Sequence, residues 1–86
     1  MFVRCTLIAD GPGPSEAIIS IRTADGHEEE VVLSKRQVHK DMIDVGTPLL
    51  AEGDRLLVEL PRESASGRWR IWVSKDRVVE PAMAAE

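Results

Sequence analysis

The sequence EVVLSKRQV at residues 30–38 recurs in pattern as RIWVSKDRV at residues 70–78, 40 positions further along the chain. Both stretches have three apolar residues, then Ser-Lys, two polar residues and a valine. An apolar run precedes each copy, AIISI at residues 17–21 and LLVEL at residues 56–60. Runs rich in Val, Ile, Leu and Trp, bounded by Gly, Pro and Asp, are typical of β-strands. The repeat therefore predicts two similar β-hairpins related by pseudo-symmetry, and chance similarity of two short hairpins is the alternative.

The register of the first hairpin, residues 16–34, follows from the pairing that gives an apolar face. A three-residue loop over residues 24–26, with a left-handed glycine at its end, pairs Ile19 with Val31 and Arg22 with Glu28. A two-residue turn at the same place would put an isoleucine opposite a glutamate. We therefore expect the three-residue loop.

The register of the second hairpin, residues 54–74, follows from the same pairing argument. A loop over residues 62–67 pairs Leu60 with Trp69 and places Glu59 opposite Arg70 on the other face. The predicted core consists of the side chains that share the inner face of both hairpins: Ala17, Ile19, Ile21, Val31, Leu33, Leu56, Val58, Leu60, Trp69, Ile71 and Val73.

The same registers leave one apolar pair on the outer face of each hairpin. Ile18 pairs with Val32 in the first, and Leu57 pairs with Trp72 in the second. Apolar surface outside the core must be covered by the connecting segment, by a second subunit or by a ligand. We expect partial cover by residues 38–50, together with self-association.

The remaining segments complete the fold. Residues 2–9 alternate as a first strand, and the Gly- and Pro-rich residues 10–14 form a turn or loop. Ser34 and Gln37 have capping-box spacing, which predicts a short helix near residues 35–44. The fold class predicted is all-β: a small antiparallel barrel or roll of about five strands, similar to SH3-like barrels in layout only.

Domain organisation follows from length. The chain has 86 residues, which is enough for one small domain. We place this domain at residues 1–80 and a flexible tail at residues 81–86. The N-terminal sequence has no signal-peptide pattern, and no apolar run could span a bilayer. One cysteine suits a reducing compartment, so a cytoplasmic location is expected.

No pattern in the sequence indicates catalysis or a cofactor. Cys5 falls on the inner face of a strand, and no motif links it to His27 or His39. These two histidines do not match a zinc-site spacing. In the acidic run at residues 28–30, successive side chains point to opposite faces of a strand and cannot converge on a metal ion. The sequence therefore indicates a protein that is not an enzyme and that uses no cofactor or metal.

Two binding functions remain. The first is a non-catalytic module that binds another protein, for which a second copy of the chain is one candidate. The second is a binder of single-stranded RNA or DNA. In this case Trp72 would stack on a base, and Arg68 and Arg70 would neutralise phosphates, together with the cations at residues 35–40. The net charge of −4 disfavours the second. The predicted binding residues are Leu57, Arg68, Arg70, Trp72 and Lys75.

Overall fold

The computed structural model describes residues 1–79, so the predicted tail at residues 81–86 lies outside the described residues. The described part is mainly β, with no α-helix and two short 3-10 turns, at Lys35–Gln37 and Lys75–Arg77. Its strands are short: β1 (Phe2–Arg4), β2 (Thr6–Asp10), β3 (Glu16–Arg22), β4 (Glu28–Ser34), β5 (Val38–His39), β6 (Met42–Asp44), β7 (Leu50–Glu52), β8 (Arg55–Glu59), β9 (Arg70–Ser74) and β10 (Val78–Val79).

These strands form three antiparallel sheets. Two sheets have three strands each, in the orders β2-β3-β4 and β7-β8-β9. The central sheet has four strands in the order β10-β1-β6-β5. No sheet closes on itself within residues 1–79, so the predicted closure into a barrel is not confirmed. The prediction of about five strands was wrong: the strand expected over residues 2–9 is divided between two sheets, and further short strands form at residues 38–39, 42–44, 50–52 and 78–79.

Both predicted hairpins are confirmed, with their registers. In the first, Ile19 pairs with Val31 and Arg22 with Glu28. The loop has three residues and ends at Gly26, whose φ of 88° is left-handed. In the second hairpin, residues 55–59 pair with residues 70–74 in the predicted register. The observed register also places Ile21 opposite Glu29, so the shared apolar face and the Arg22–Glu28 ion pair indicate this register, whereas avoidance of an Ile–Glu pair does not.

Trp69 is the predicted core residue that the structure places elsewhere. Its side chain is 51% exposed, whereas Ile71 is 3% exposed and packs in the core. The register is therefore not slipped. The backbone N–H of Leu60 still donates to the carbonyl of Trp69, but the chain bends at residue 69, and β9 begins only at Arg70. This bend interrupts the alternation that would have turned the indole inward.

The predicted helix near residues 35–44 is also wrong. The capping box at Ser34 and Gln37 forms, but it caps a single 3-10 turn. The chain then becomes the β5–β6 hairpin, in which Val38 pairs with Ile43. A ten-residue helix is marginal by itself. The hairpin instead buries Ile43 completely and extends the central sheet.

The central sheet shows that the backbone pattern of the first 40 residues recurs in residues 41–79. Val3 pairs with Ile43, which lies 40 positions later, and β1 and β6 run antiparallel around this pair. The flanking backbone bonds repeat in the same way: Cys5 N–H donates to Asp41, and Val45 N–H donates to Met1. We therefore divide the protein into half one (residues 1–40) and half two (residues 41–79), related by a pseudo-two-fold axis at the Val3–Ile43 pair.

The core follows the same symmetry. The fourteen buried apolar residues fall into seven pairs at equivalent positions of the two halves: Val3/Ile43, Cys5/Val45, Ala17/Leu56, Ile19/Val58, Ile21/Leu60, Val31/Ile71 and Leu33/Val73. The halves are also interleaved, since β10 of half two pairs with β1, and β5 of half one pairs with β6. Half one and half two thus build one common core.

Candidate functional site

The tip of each hairpin donates a backbone hydrogen bond to a strand of the other hairpin. Ala24, in the first tip, donates its backbone N–H to the carbonyl of Trp72 at 2.8 Å. Ala65, in the second tip, donates to the carbonyl of Glu30 at 2.7 Å. Both tips are three-residue loops that end in a left-handed glycine. This exchange holds the two three-stranded sheets together and leaves a cleft between the tips.

The cleft has a volume of about 290 Å³. Its charged lining is divided between the halves. Half one supplies carboxylates and a histidine, and half two supplies guanidinium groups. The ionisable lining residues are Asp25, His27, Glu28, Glu29, Arg55, Arg68 and Arg70. The cleft therefore has an acidic wall and a basic wall, and it does not present a single sign of charge.

The structure brings most of the predicted binding residues together. Arg68, Arg70 and Trp72 all line the cleft. Leu57 does not line it, but pairs with Trp72 on the outer face of the sheet. Lys75 starts the 3-10 turn that follows β9 and is not part of the cleft lining. Arg55 was missed: its guanidinium carbon lies 4.2 Å from the centre of the Trp72 ring, a cation–π contact.

Every arginine of the cleft already has a carboxylate partner. The Arg68 Nε lies 3.6 Å from Glu29, and the Arg70 Nε lies 3.3 Å from Glu59. The Arg55 Nη2 lies 2.7 Å from a carboxylate oxygen of Glu52. Pairs this exposed add little to stability, but they do neutralise the local field. The basic wall of the cleft therefore presents hydrogen-bond donors but little net positive charge.

Glu29 anchors the second hairpin tip from half one. Its side chain is only 7% exposed. One carboxylate oxygen accepts hydrogen bonds from the Ser64 hydroxyl at 2.9 Å and the Ser66 hydroxyl at 2.6 Å, and the other faces Arg68. A buried carboxylate is tolerated when its lone pairs are used in this way. We assign Glu29 a structural role at the rim of the cleft.

Trp69 does not line the cleft, although its neighbours in the sequence, Arg68 and Arg70, do. It occupies the position equivalent to Glu29, yet its indole is exposed and lies in sequence between Arg68 and Arg70. Both guanidinium groups are more than half exposed. We call these three residues the Trp69 surface. Tryptophan and arginine are the residue types most enriched among binding hot spots.

The outer apolar pairs are present as predicted. Ile18 pairs with Val32, Leu57 pairs with Trp72, and all four side chains are half-buried. From the connecting segment, Leu50 pairs with Leu57 in the neighbouring strand and is itself 59% exposed. Val45 of the same segment packs in the core, and Val38 packs against it. Partial cover by residues 38–50, together with self-association, stays a prediction.

Two further exposed apolar sites lie on the edge strands β2 and β7. Leu7 and Ile8 occupy one, and Leu49 and Leu50 lie at the start of the other. A second repeat in the sequence could have revealed their equivalence, because LIADG at residues 7–11 matches LLAEG at residues 49–53. The correspondence is incomplete, because β2 has a bulge at Ile8, and the pairing of Ala9 with Ile18 matches that of Leu50 with Leu57.

The pKa values of Cys5, in the core, and Asp25, in the cleft, are shifted in opposite directions. Burial, reinforced by the charge of Asp41, raises the pKa of the Cys5 thiol to about 11, so this thiol is protonated at neutral pH. The Thr23 hydroxyl lowers the pKa of the Asp25 carboxyl through a hydrogen bond, which keeps it charged at the mouth of the cleft. Residues 1–79 contain no group of three side chains placed to hold a metal ion.

In the described part of the chain, no helix is long and apolar enough to cross a membrane. Comparisons with protein-family models, with curated proteins and with solved structures found no match to this chain.

Proposed function

We propose that the protein is a non-catalytic binding module, that its partner is another protein, and that the Trp69 surface makes the contact. The observation that supports this is the 51% exposure of Trp69. Burial of a large aromatic side chain is favourable by about 2 kcal/mol, and an exposed tryptophan can gain this free energy when a partner covers it. Its flanking arginines can form hydrogen bonds around a partner's pocket that receives the indole.

A protein partner fits the electrostatics better than a nucleic acid does. The arginines of the cleft are paired with glutamates, and the chain carries a net charge of −4. Binding to a phosphate backbone gains its free energy from cations that displace counterions, and paired arginines supply little of that. A protein partner needs only an apolar pocket with polar groups at its rim.

Other parts of the proposal come from the sequence. Leu57 and Trp72, with Arg55 above the ring, extend the contact surface along the outer face of β8 and β9. Lys75 contributes a positive charge at the periphery of this surface. We propose that the module works without a cofactor, in the cytoplasm, where a single buried cysteine needs no oxidised partner. We keep the SH3-like layout only as an analogy of size and strand content.

The proposal is tested by capture from a lysate of the native host, followed by binding to the purified captured protein. Trp69→Ser should weaken binding about 30-fold, the effect of losing a hot spot of about 2 kcal/mol. Leu7→Ser is the matched control, because Leu7 is 60% exposed and belongs to half one. Both variants should unfold at the wild-type denaturant concentration, since exposed substitutions change stability by less than about 0.5 kcal/mol. Equal binding by wild type and Trp69→Ser would refute the proposed surface.

The nucleic-acid alternative has its own measurement. In a Trp69→Phe protein, Trp72 is the sole tryptophan and reports on the face that the nucleic-acid alternative uses. We expect no change in its fluorescence when a single-stranded oligonucleotide is added at low salt. Quenching that disappears as salt is raised would favour base stacking over a protein partner.

A further inference from the structure

Only one short turn connects the two interleaved halves. Half one ends with β5 and half two begins with β6, and the two strands pair so that His39 lies opposite Met42. Lys40 and Asp41 form the turn between them. Around this turn, the halves contact each other through three strand pairings, β1–β6, β1–β10 and β5–β6, and through the common core. The halves therefore share a large interface but a very short covalent link.

The turn carries backbone strain. Lys40 has a φ of 61°, and within residues 1–79 it is the one residue other than glycine with a positive φ. The left-handed region is unfavourable for a residue with a Cβ atom. The β7–β8 hairpin has the same kind of two-residue turn, Gly53–Asp54, and there a glycine takes the φ of 60°. The link between the halves thus lacks the residue type that its geometry favours.

We propose that two copies of this chain exchange halves to form a domain-swapped dimer, with Lys40 and Asp41 as the hinge. In this dimer, half one of each copy packs on half two of the other. Every contact between halves is kept, but it now joins two chains. The hinge opens into an extended segment, and the left-handed conformation at Lys40 is no longer required. Strained, short hinge loops favour this kind of exchange.

The register of β5 and β6 also predicts what the open hinge would form. His39 lies opposite Met42 and Val38 lies opposite Ile43. If the hairpin opens and the same register continues between two copies, Lys40 of each copy lies opposite Asp41 of the other. The swapped ribbon would then gain two cross-strand pairs of opposite charge, which stabilise antiparallel strands. The hinge sequence is therefore suited to the exchanged form.

The first measurement is the monomer–dimer equilibrium after refolding at high protein concentration, followed by sedimentation. Lys40→Gly should weaken dimerisation about 30-fold, because the strain relieved on opening is lost at both hinges of the dimer. Lys40→Val should strengthen it, since a β-branched residue disfavours the left-handed region and favours a strand. Gly53→Val is the matched control: it places the same strain in a turn inside half two and should not produce a dimer by exchange of halves.

A disulfide distinguishes exchange of halves from side-by-side association. Arg4 pairs with Met42 across the interface between the halves. In a Cys5→Val background, the pair Arg4→Cys and Met42→Cys should oxidise within one chain in the monomer and between two chains in the swapped dimer. A covalent dimer on a non-reducing gel supports the proposal. A dimer fraction that yields only covalently closed single chains, or the absence of any dimer for both wild type and Lys40→Val, would overturn it.

Discussion

The two halves of the protein share a backbone and a core but differ at the surface. Buried positions are occupied by apolar residues in both halves, as at Ile19 and Val58. At the position where half one buries Glu29, half two exposes Trp69. The core of both halves must satisfy one packing arrangement, so its residues can vary little. Surface positions are free of this constraint, and the side chains proposed for binding lie where the halves differ.

The corners that follow β4 and β9 show the same contrast on a smaller scale. Each corner has a serine followed by a 3-10 turn. In half one, the Ser34 hydroxyl accepts the backbone N–H of Arg36, and the Gln37 side chain accepts the N–H of Ser34. In half two, the Ser74 side chain makes no capping hydrogen bond. Position 77 is an arginine, which cannot accept a hydrogen bond to complete a capping box.

The largest effect is expected at the axis, where the two halves are most alike. Ile43→Ala should lower the free energy of unfolding by about 3–4 kcal/mol, because it opens a cavity beside Val3 in the common core. Urea unfolding followed by circular dichroism measures the loss. Leu50→Ala is the control, an exposed leucine of the same half, and should cost less than about 0.5 kcal/mol. Similar losses for the two variants would contradict the placement of the core.

The second prediction compares Glu29 with Trp69, which occupy equivalent positions in the two halves. Glu29→Ala leaves the Ser64 and Ser66 hydroxyls without their acceptor and should cost about 2 kcal/mol. Trp69→Ala should change stability by less than about 0.5 kcal/mol, since the indole is largely in water. Chemical denaturation of both variants provides the comparison. A large loss for Trp69→Ala would show that the indole packs in the core, as the sequence alone had predicted.

The smallest effect is expected at the two corners. Ser34→Ala should cost about 1 kcal/mol, the usual value of a helix N-cap. Ser74→Ala should have no measurable effect, because its hydroxyl does not cap the turn. Thermal unfolding of the two variants side by side is sufficient. If Ser34→Ala is as stable as wild type, packing of Val38 against the core holds the first corner without its cap.

The sequence predicted local pairing well and distant pairing poorly. The two hairpins could be derived because each pairing is short-range and each register is marked by an ion pair or an apolar pair, such as Arg22 with Glu28. The pairings of the central sheet could not be derived, because Val3 and Ile43 are 40 positions apart and no local pattern relates them. The repeat at residues 30–38 and 70–78 indicated this symmetry, and the match of LIADG at residues 7–11 with LLAEG at residues 49–53 was a second indication.

The candidate site shows a similar limit. Arg68, Arg70 and Trp72 were predicted to lie together because alternate residues of a strand share a face. Trp69 was placed in the core by the same alternation, which holds only while the strand is regular. The bend at residue 69 follows directly after the tip loop and leaves no sign in the apolar pattern. Arg55 could have been found, because it shares a strand face with Leu57 and lies diagonal to Trp72 in the predicted register.

The pairing of β1 with β10 has a consequence for chain connectivity. Phe2 lies opposite Val79, in the same arrangement as Met42 opposite His39, which a two-residue turn already connects. An Asn-Gly turn from Val79 to Phe2 could therefore close the chain, and new termini could be opened between Lys40 and Asp41. The resulting circular permutant would read half two before half one and would keep every strand pairing of the original. Because the fold is built from two equivalent halves, it does not depend on which of them the ribosome makes first.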